Sequence, residues 1–229
     1  MMKREILDAV RLGAILGACL LLLSTMATAS PRQIVGTARV KDGDTLSVAG
    51  AMVRLEGIDA PELTQLCAVE GGSWRAGDAA RAYLAQLVSS KPVTCTGMGE
   101  DEYGRLIARC RANGRDLAAQ LVREGLAWAF VRYSKTFVGQ EAVARRARVG
   151  IWRAKCAPAW SYRRARWSSE AAAAPAGCAI KGNVSQRGRI YHMPWDRWYG
   201  RTRIDPARGE RWFCDEREAR EAGWRPAAS

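Results

Sequence analysis

Between residues 40 and 62 the chain reads V-K-D-G-D-T-L-S-V-A-G-A-M-V-R-L-E-G-I-D-A-P-E. Leu46 and Val48 alternate on one side of Ala49-Gly50, and Val53 and Leu55 alternate on the other. This two-residue period predicts two half-buried strands joined by a tight turn, with Asp42-Gly43-Asp44 as an earlier turn. The period then lengthens. Across residues 71–90, Ala79, Tyr83 and Leu87, beside Ala80, Leu84 and Val88, form one apolar stripe that predicts a helix ending before Pro92. Residues 93–96 and 106–110 predict two further strands, joined by E-D-E-Y-G-R. A second helix is expected from Asp116, a natural N-cap, to Glu124, with Gly125 as its stop and Leu117, Leu121 and Val122 as its buried face. Residues 139–149 predict a third, with Arg145, Arg146 and Arg148 facing solvent.

A strand-rich front, a helix, two strands and two helices suit a five-stranded barrel of the OB type, capped by helices. From residue 151 to 176 the composition shifts to Arg, Trp, Tyr and Ser and then an Ala-Pro run, which reads as a linker over 153–176. Residues 177–229 form a separate unit bracketed by Cys178 and Cys214. No internal repeat is evident.

The length of 229 residues allows one medium domain and a smaller one. A formal charge of +13 implies an anionic partner, nucleic acid or an anionic membrane surface, although solubility alone also accounts for it. Residues 1–29 read as an export signal. Lys3, Arg4 and Arg11 make a basic start, Leu12 to Met26 is apolar but short for a membrane span, and Ala27-Thr28-Ala29 is a small-x-small cleavage pattern. The expectation is a periplasmic or secreted monomer without stable membrane association, with an uncleaved N-terminal anchor as the alternative. Removal of that segment leaves Cys67, Cys95, Cys110, Cys156, Cys178 and Cys214, an even set that reads as disulfides in an exported chain. Cys95 and Cys110 can face each other across a hairpin, Cys178 and Cys214 bracket the final unit, and Cys67 with Cys156 is the remaining pair. No C-x-x-C occurs, which argues against structural zinc.

The single histidine, His192, lies in the final unit. The main domain therefore lacks a Ser-His-Asp set and any histidine base beside a metal. What it offers is carboxylates and arginines. Asp42, Asp44, Asp59 and Glu62 crowd around Arg54, and Asp101-Glu102-Tyr103-Gly104-Arg105 adds a second guanidinium. Taken alone, D-G-D is ordinary turn chemistry. Grouped acids with two arginines form a kit for phosphodiester hydrolysis: carboxylates for a hard cation, guanidinium forks for phosphate oxygens and a glutamate base.

The motifs D-G-D-T, R-L-x-G-I-D-A-P-E and D-x-Y-G-R, followed by L-V-x-x-G-L-A, resemble the staphylococcal nuclease-like (thermonuclease) family over residues 34–152. The resemblance implies an OB-type barrel with three helices that cleaves DNA and RNA at the 5′ oxygen–phosphorus bond, leaving 3′-phosphates. It implies Ca2+ as cofactor, held by Asp44, Asp59 and the backbone carbonyl of Ala60, with Asp42 close by through water. It assigns Glu62 as general base, Arg54 and Arg105 as phosphate-binding arginines, and Tyr103 and Tyr133 as substrate contacts. Glu102 stands where the family has lysine, which should weaken contact with a terminal phosphate. A catalytically weak binding or envelope-tethering protein on the same barrel is the alternative.

The final unit looks like a small module appended to bacterial exported nucleases and surface proteins. Its closing lines resemble the metal-binding domain of DNA methylphosphotriester repair proteins, but without that domain's four cysteines, so no zinc is expected. About 50 residues give little core, which a Cys178–Cys214 bridge would offset. His192 reads as a hydrogen-bonded core residue. Trp195, Trp198, Trp212 and Trp224 suit either base stacking or the module's core. In the linker, Trp160, Tyr162, Arg163, Arg164, Arg166 and Trp167 suit either nonspecific DNA contact or a solvated tether.

Overall fold

The structure, a computed structural model, describes residues 32–227. The expected export signal lies outside the described residues. The chain opens with β1 (Gln33–Gly36) and β2 (Ala38–Val40), then β3 (Thr45–Val48), β4 (Ala51–Leu55) and the two-residue β5 (Ile58–Asp59). A hairpin, β6 (Leu66–Val69) and β7 (Gly72–Arg75), leads into α1 (Ala76–Val88). Strands β8 (Val93–Glu100), β9 (Leu106–Ala112) and β10 (Arg115–Asp116) follow, then α2 (Leu117–Arg123), β11 (Trp128–Ala129) and α3 (Val138–Ala147).

The main sheet runs β1-β8-β9-β4-β3-β2, with β10 on β9. Every pairing in it is antiparallel except β4 with β9. Only Thr37 separates β1 from β2, yet they lie at opposite ends of this path. One bent strand thus pairs with both edges, and the sheet curls into the expected OB-type barrel. Counted that way its long strands are five. The turn between β3 and β4 is built as its residues suggest: Ala49 and Gly50 both take positive φ, which keeps Val48 opposite Ala51 and places Leu46, Val48, Val53 and Leu55 inside. Leu84, Leu117, Leu121 and Val122 close the core from the helices, with Phe137 just before α3.

The three helices stand where the periodicity puts them, with one correction. The first begins at Ala76, and residues 66–75, whose last five were expected as helix, form the β6–β7 hairpin. Glu70-Gly71 supplies its turn, with Gly71 at positive φ and Val69 opposite Gly72. At the second helix Asp116 accepts a bond from the Ala119 N–H at 3.0 Å, and Gly125 turns left-handed beyond its end.

Among the described residues the three disulfides, Cys67–Cys156, Cys95–Cys110 and Cys178–Cys214, match the expected pairs. Cys95 and Cys110 are direct partners in the β8–β9 register. Within the stretch read as a linker, α4 (Ala159–Ala173) forms immediately after Pro158. Its Trp160 stacks on Phe130 at 5.5 Å and meets Trp128 edge-on at 6.1 Å, so its start is fixed to the barrel.

Beyond it, β12 (Ile180–Ser185), β13 (Gly188–His192), β14 (Arg211–Phe213), α5 (Glu216–Glu221) and β15 (Arg225–Pro226) complete the chain. These strands form a sheet in the order β14-β12-β13-β15 around Ile180, Tyr191, Phe213, Ala219 and Trp224. His192 is buried there, with Nε2 3.0 Å from the Asn183 side-chain oxygen. Among the described residues no helix is long and apolar enough to cross a membrane.

Candidate active site

Two turns and two strand ends bring the charged groups together. Asp42 accepts from the N–H groups of Asp44, at 3.1 Å, and Thr45, at 2.8 Å, which fixes the D-G-D turn. A Cβ at Gly43 would lie 2.6 Å from the Ala60 Cβ and 2.8 Å from the Ala80 Cβ, so only glycine lets this turn press against β5 and α1. Asp44 accepts from the Ala60 N–H at 2.8 Å and from the Thr45 hydroxyl at 3.0 Å. Thr45 and Arg54 are partners in the β3–β4 register, so Arg54 reaches Asp44 across the strand pair.

The Arg54 guanidinium then bridges both candidate ligands. Nη1 donates to Asp44 at 2.8 Å and Nη2 to Asp59 at 2.9 Å. Parallel pairing of β4 with β9 aligns Val53 with Leu106, which puts Arg105 at the same end of the barrel as Arg54. Arg105 is held by Asp101, which accepts from its Nε at 2.7 Å and its N–H at 3.0 Å. Its guanidinium carbon lies 5.1 Å from the Tyr103 ring centre.

Asp42, Asp44, Arg54, Ala60, Glu62, Tyr103, Arg105 and Tyr133 all line one cleft of about 940 Å³. Asp59 is fully buried behind the lining residues and is bonded to one of them, Arg54. Tyr133 is well exposed at its mouth, edge-on to Phe130 at 4.9 Å. All eight site residues expected from the sequence are therefore gathered. His192 is not among the cleft residues.

The charge balance is tense. Burial, reinforced by the neighbouring Asp44 charge, pushes the Asp42 carboxyl up to about 6. Burial pushes Glu62 up to about 8, opposed by Arg163 and reinforced by Asp42 and Asp44. Burial acts on Asp44 in the same sense, but Arg54 and the Ala60 N–H overcome it and hold that carboxyl below its ordinary range. Complete burial also pushes Asp59 up, against the pull of two guanidinium groups.

The second of those groups lies outside the site expected from the sequence, which placed it only in a linker. Arg163, on α4, donates to Asp59 at 3.2 and 2.8 Å and to Glu62 at 2.7 Å. Thr64 helps to seat this helix, with its hydroxyl 3.1 Å from the Tyr162 hydroxyl and donating to the Trp195 carbonyl at 2.7 Å. Across the cleft, Arg220 of α5 donates to the Tyr103 carbonyl at 2.6 Å. Residues from the C-terminal unit, among them Trp195, Asp196, Arg197 and Trp198, line the cleft with those of the barrel. A regular i, i+3, i+7 run of Trp160, Arg163 and Trp167 was the available hint of a helix here.

Oxygen donors are what a hard cation takes, and the acids outnumber the guanidinium groups bonded to them: Asp42, Asp44, Asp59 and Glu62 face Arg54 and Arg163. The chemistry of the donor set therefore fits such an ion. Among the described residues no group of three or more His, Cys, Asp or Glu side chains stands in metal-holding geometry. Asp59 is engaged by arginines instead.

A family model described as "Staphylococcal nuclease homologue" matches residues 52–154, and another described as "ArfC" matches residues 163–226. A protein named "Succinoglycan biosynthesis protein ExoI", from Rhizobium meliloti (strain 1021), is 38% identical over 148 residues, covering 63% of this chain and 76% of that protein. A "Micrococcal nuclease" from Shigella flexneri is 35% identical over 172 residues, covering 67% of this chain and 92% of that one. An "Uncharacterized endonuclease" from Escherichia coli is 33% identical over 133 residues, covering 55% and 81%.

Proposed function

The chain belongs to the family of staphylococcal nuclease homologues, and on that premise we propose that it is a calcium-dependent nuclease hydrolysing phosphodiester bonds of DNA and RNA without strong sequence preference. The observation that carries this reading is the Arg54 bridge between Asp44 and Asp59, in a cleft shared with Glu62 and Arg105. Asp44, Asp59 and the Ala60 carbonyl would hold the ion. When bound, it supplies positive charge against the charge that builds on the phosphorane oxygens. Arg54 and Arg105 present forks that bind two phosphate oxygens at once and strengthen as that charge develops. Glu62 takes a proton from the attacking water. Tyr103 and Tyr133 lie along the cleft as contacts for the flanking nucleotides.

Export to an oxidising compartment is part of the same proposal, supported by the three disulfides and the N-terminal sequence pattern. Digestion of DNA and of RNA, in calcium and then in excess chelator, tests the reading: cleavage of both in calcium alone supports it, and equal cleavage in chelator refutes the ion's role.

One observation favours a second reading, a nucleic-acid-binding protein on the same barrel: Arg163 pairs both Asp59 and Glu62. Salt-sensitive gel shifts without cleavage in calcium would support it.

A further inference from the structure

Arg163 lies outside the residues matched by the nuclease family model and comes from the C-terminal part of the chain, yet it contacts the two carboxylates on which the proposed chemistry depends. We propose that Arg163 is a further substrate-binding residue: it pairs with Asp59 and Glu62 in the resting site and transfers to the substrate phosphate when a cation takes Asp59. This rests on the calcium-dependent reading given above.

The carboxylate of Asp59 has about four lone-pair positions. Arg163 and Arg54 together place three N–H bonds on it, two on Oδ1 and one on Oδ2. A dication approaching that carboxylate meets a fixed guanidinium charge on the same oxygens. Like charges at such range compete for one partner, so the ion and the Arg163 fork exclude each other at Asp59. Glu62 is held by the same fork, so that one displacement frees both the ligand and the base.

The released side chain has a destination. Arg163 lines the same cleft as Arg54 and Arg105, and its side chain is partly exposed to it. A backbone phosphate entering there offers two oxygens in the geometry a guanidinium fork prefers. The helix itself need not move. Its start is pinned by Trp160 on Phe130 and by Tyr162 at Thr64, and Arg166 donates to the Pro194 carbonyl at 2.9 and 3.2 Å. Only the long side chain swings. Cation and substrate binding are thereby coupled, because each stabilises the position of Arg163 that the other requires.

The test uses the full chain without its export signal, comparing the parent with Arg163→Gln and Arg163→Lys. Calcium is titrated by calorimetry without nucleic acid, and KM for a short single-stranded oligonucleotide is measured at saturating calcium. The expected result is calcium binding at least about fivefold tighter in Arg163→Gln, with KM raised about tenfold and kcat changed less. Arg163→Lys, which keeps the charge but loses the fork, should fall between, with the parent's fold by circular dichroism. Unchanged or weaker calcium binding in both variants overturns the exchange. An unchanged or lowered KM overturns the phosphate role. Absence of calcium binding by all three proteins removes the calcium-dependent reading and this proposal with it.

Discussion

Gly77 lies against the carbonyl of Glu62 so closely that a Cβ there would overlap it. The first turn of α1 therefore rests directly on the backbone that carries the proposed base, and the Gln65 N–H fixes the same carbonyl at 2.8 Å. Gly77→Ala should displace that backbone. The expected outcome is a loss of about 1–3 kcal/mol in urea denaturation and a fall in kcat larger than the change in KM. A neutral substitution on both counts would contradict this packing.

Arg54 is both a proposed phosphate ligand and the partner of two buried acids. Arg54→Lys keeps the charge and loses the bridge, so cleavage should fall on the order of 10²-fold or more while the fold survives. Arg54→Ala leaves Asp44 and Asp59 short of compensation and should cost about 3–5 kcal/mol of stability. Denaturation curves beside initial rates separate the two effects.

In calcium-free buffer, stability should decline as pH rises from about 4 to about 8. Burial is the leading cause of the raised carboxyls: about 6 for Asp42, about 7 for Asp196 and about 8 for Glu62. In the unfolded chain such groups ionise near pH 4. Between that value and the folded ones the native state holds protons that the unfolded state lacks, so stability present at low pH is lost as each folded value is passed. Asp44, held low, acts only at more acid pH and leaves this window alone. Each pH step of one between the unfolded and folded values is worth about 1.4 kcal/mol for a single group. Thermal melts across this range should show the decline, and calcium should offset it. A flat profile without calcium would contradict the crowding of these acids.

Breaking the Cys67–Cys156 bridge by a double substitution to alanine should cost about 4.5 kcal/mol, as its 89-residue separation implies. The start of α4 would also lose a tie to β6, with the Ala68–Lys155 backbone bonds left to hold that junction. Thermal melting of the oxidised parent and the variant measures the loss.

The barrel was legible because its signals are local. Alternation at Leu46, Val48, Val53 and Leu55, a positive-φ turn at Ala49-Gly50 and a cap at Asp116 each act within a few residues. The β6–β7 hairpin was not, since Gly71-Gly72 borders a strong helical stripe and either element could claim the residues before Ala76. The carboxylates and two arginines of the site were legible because their motifs are compact. The place of Arg163 in that site was not. Its partners lie 104 and 101 residues away, and no local spacing encodes a contact made by packing a whole helix across the cleft. Arg220 on the Tyr103 carbonyl, 117 residues apart, was hidden for the same reason.

The most direct test is the single-turnover cleavage rate of Glu62→Gln beside the parent, on one oligonucleotide at saturating calcium. Loss of a general base predicts a rate lower by on the order of 10²–10⁴ with an unchanged circular dichroism spectrum. A variant that cuts as fast as the parent would show that Glu62 is not the base.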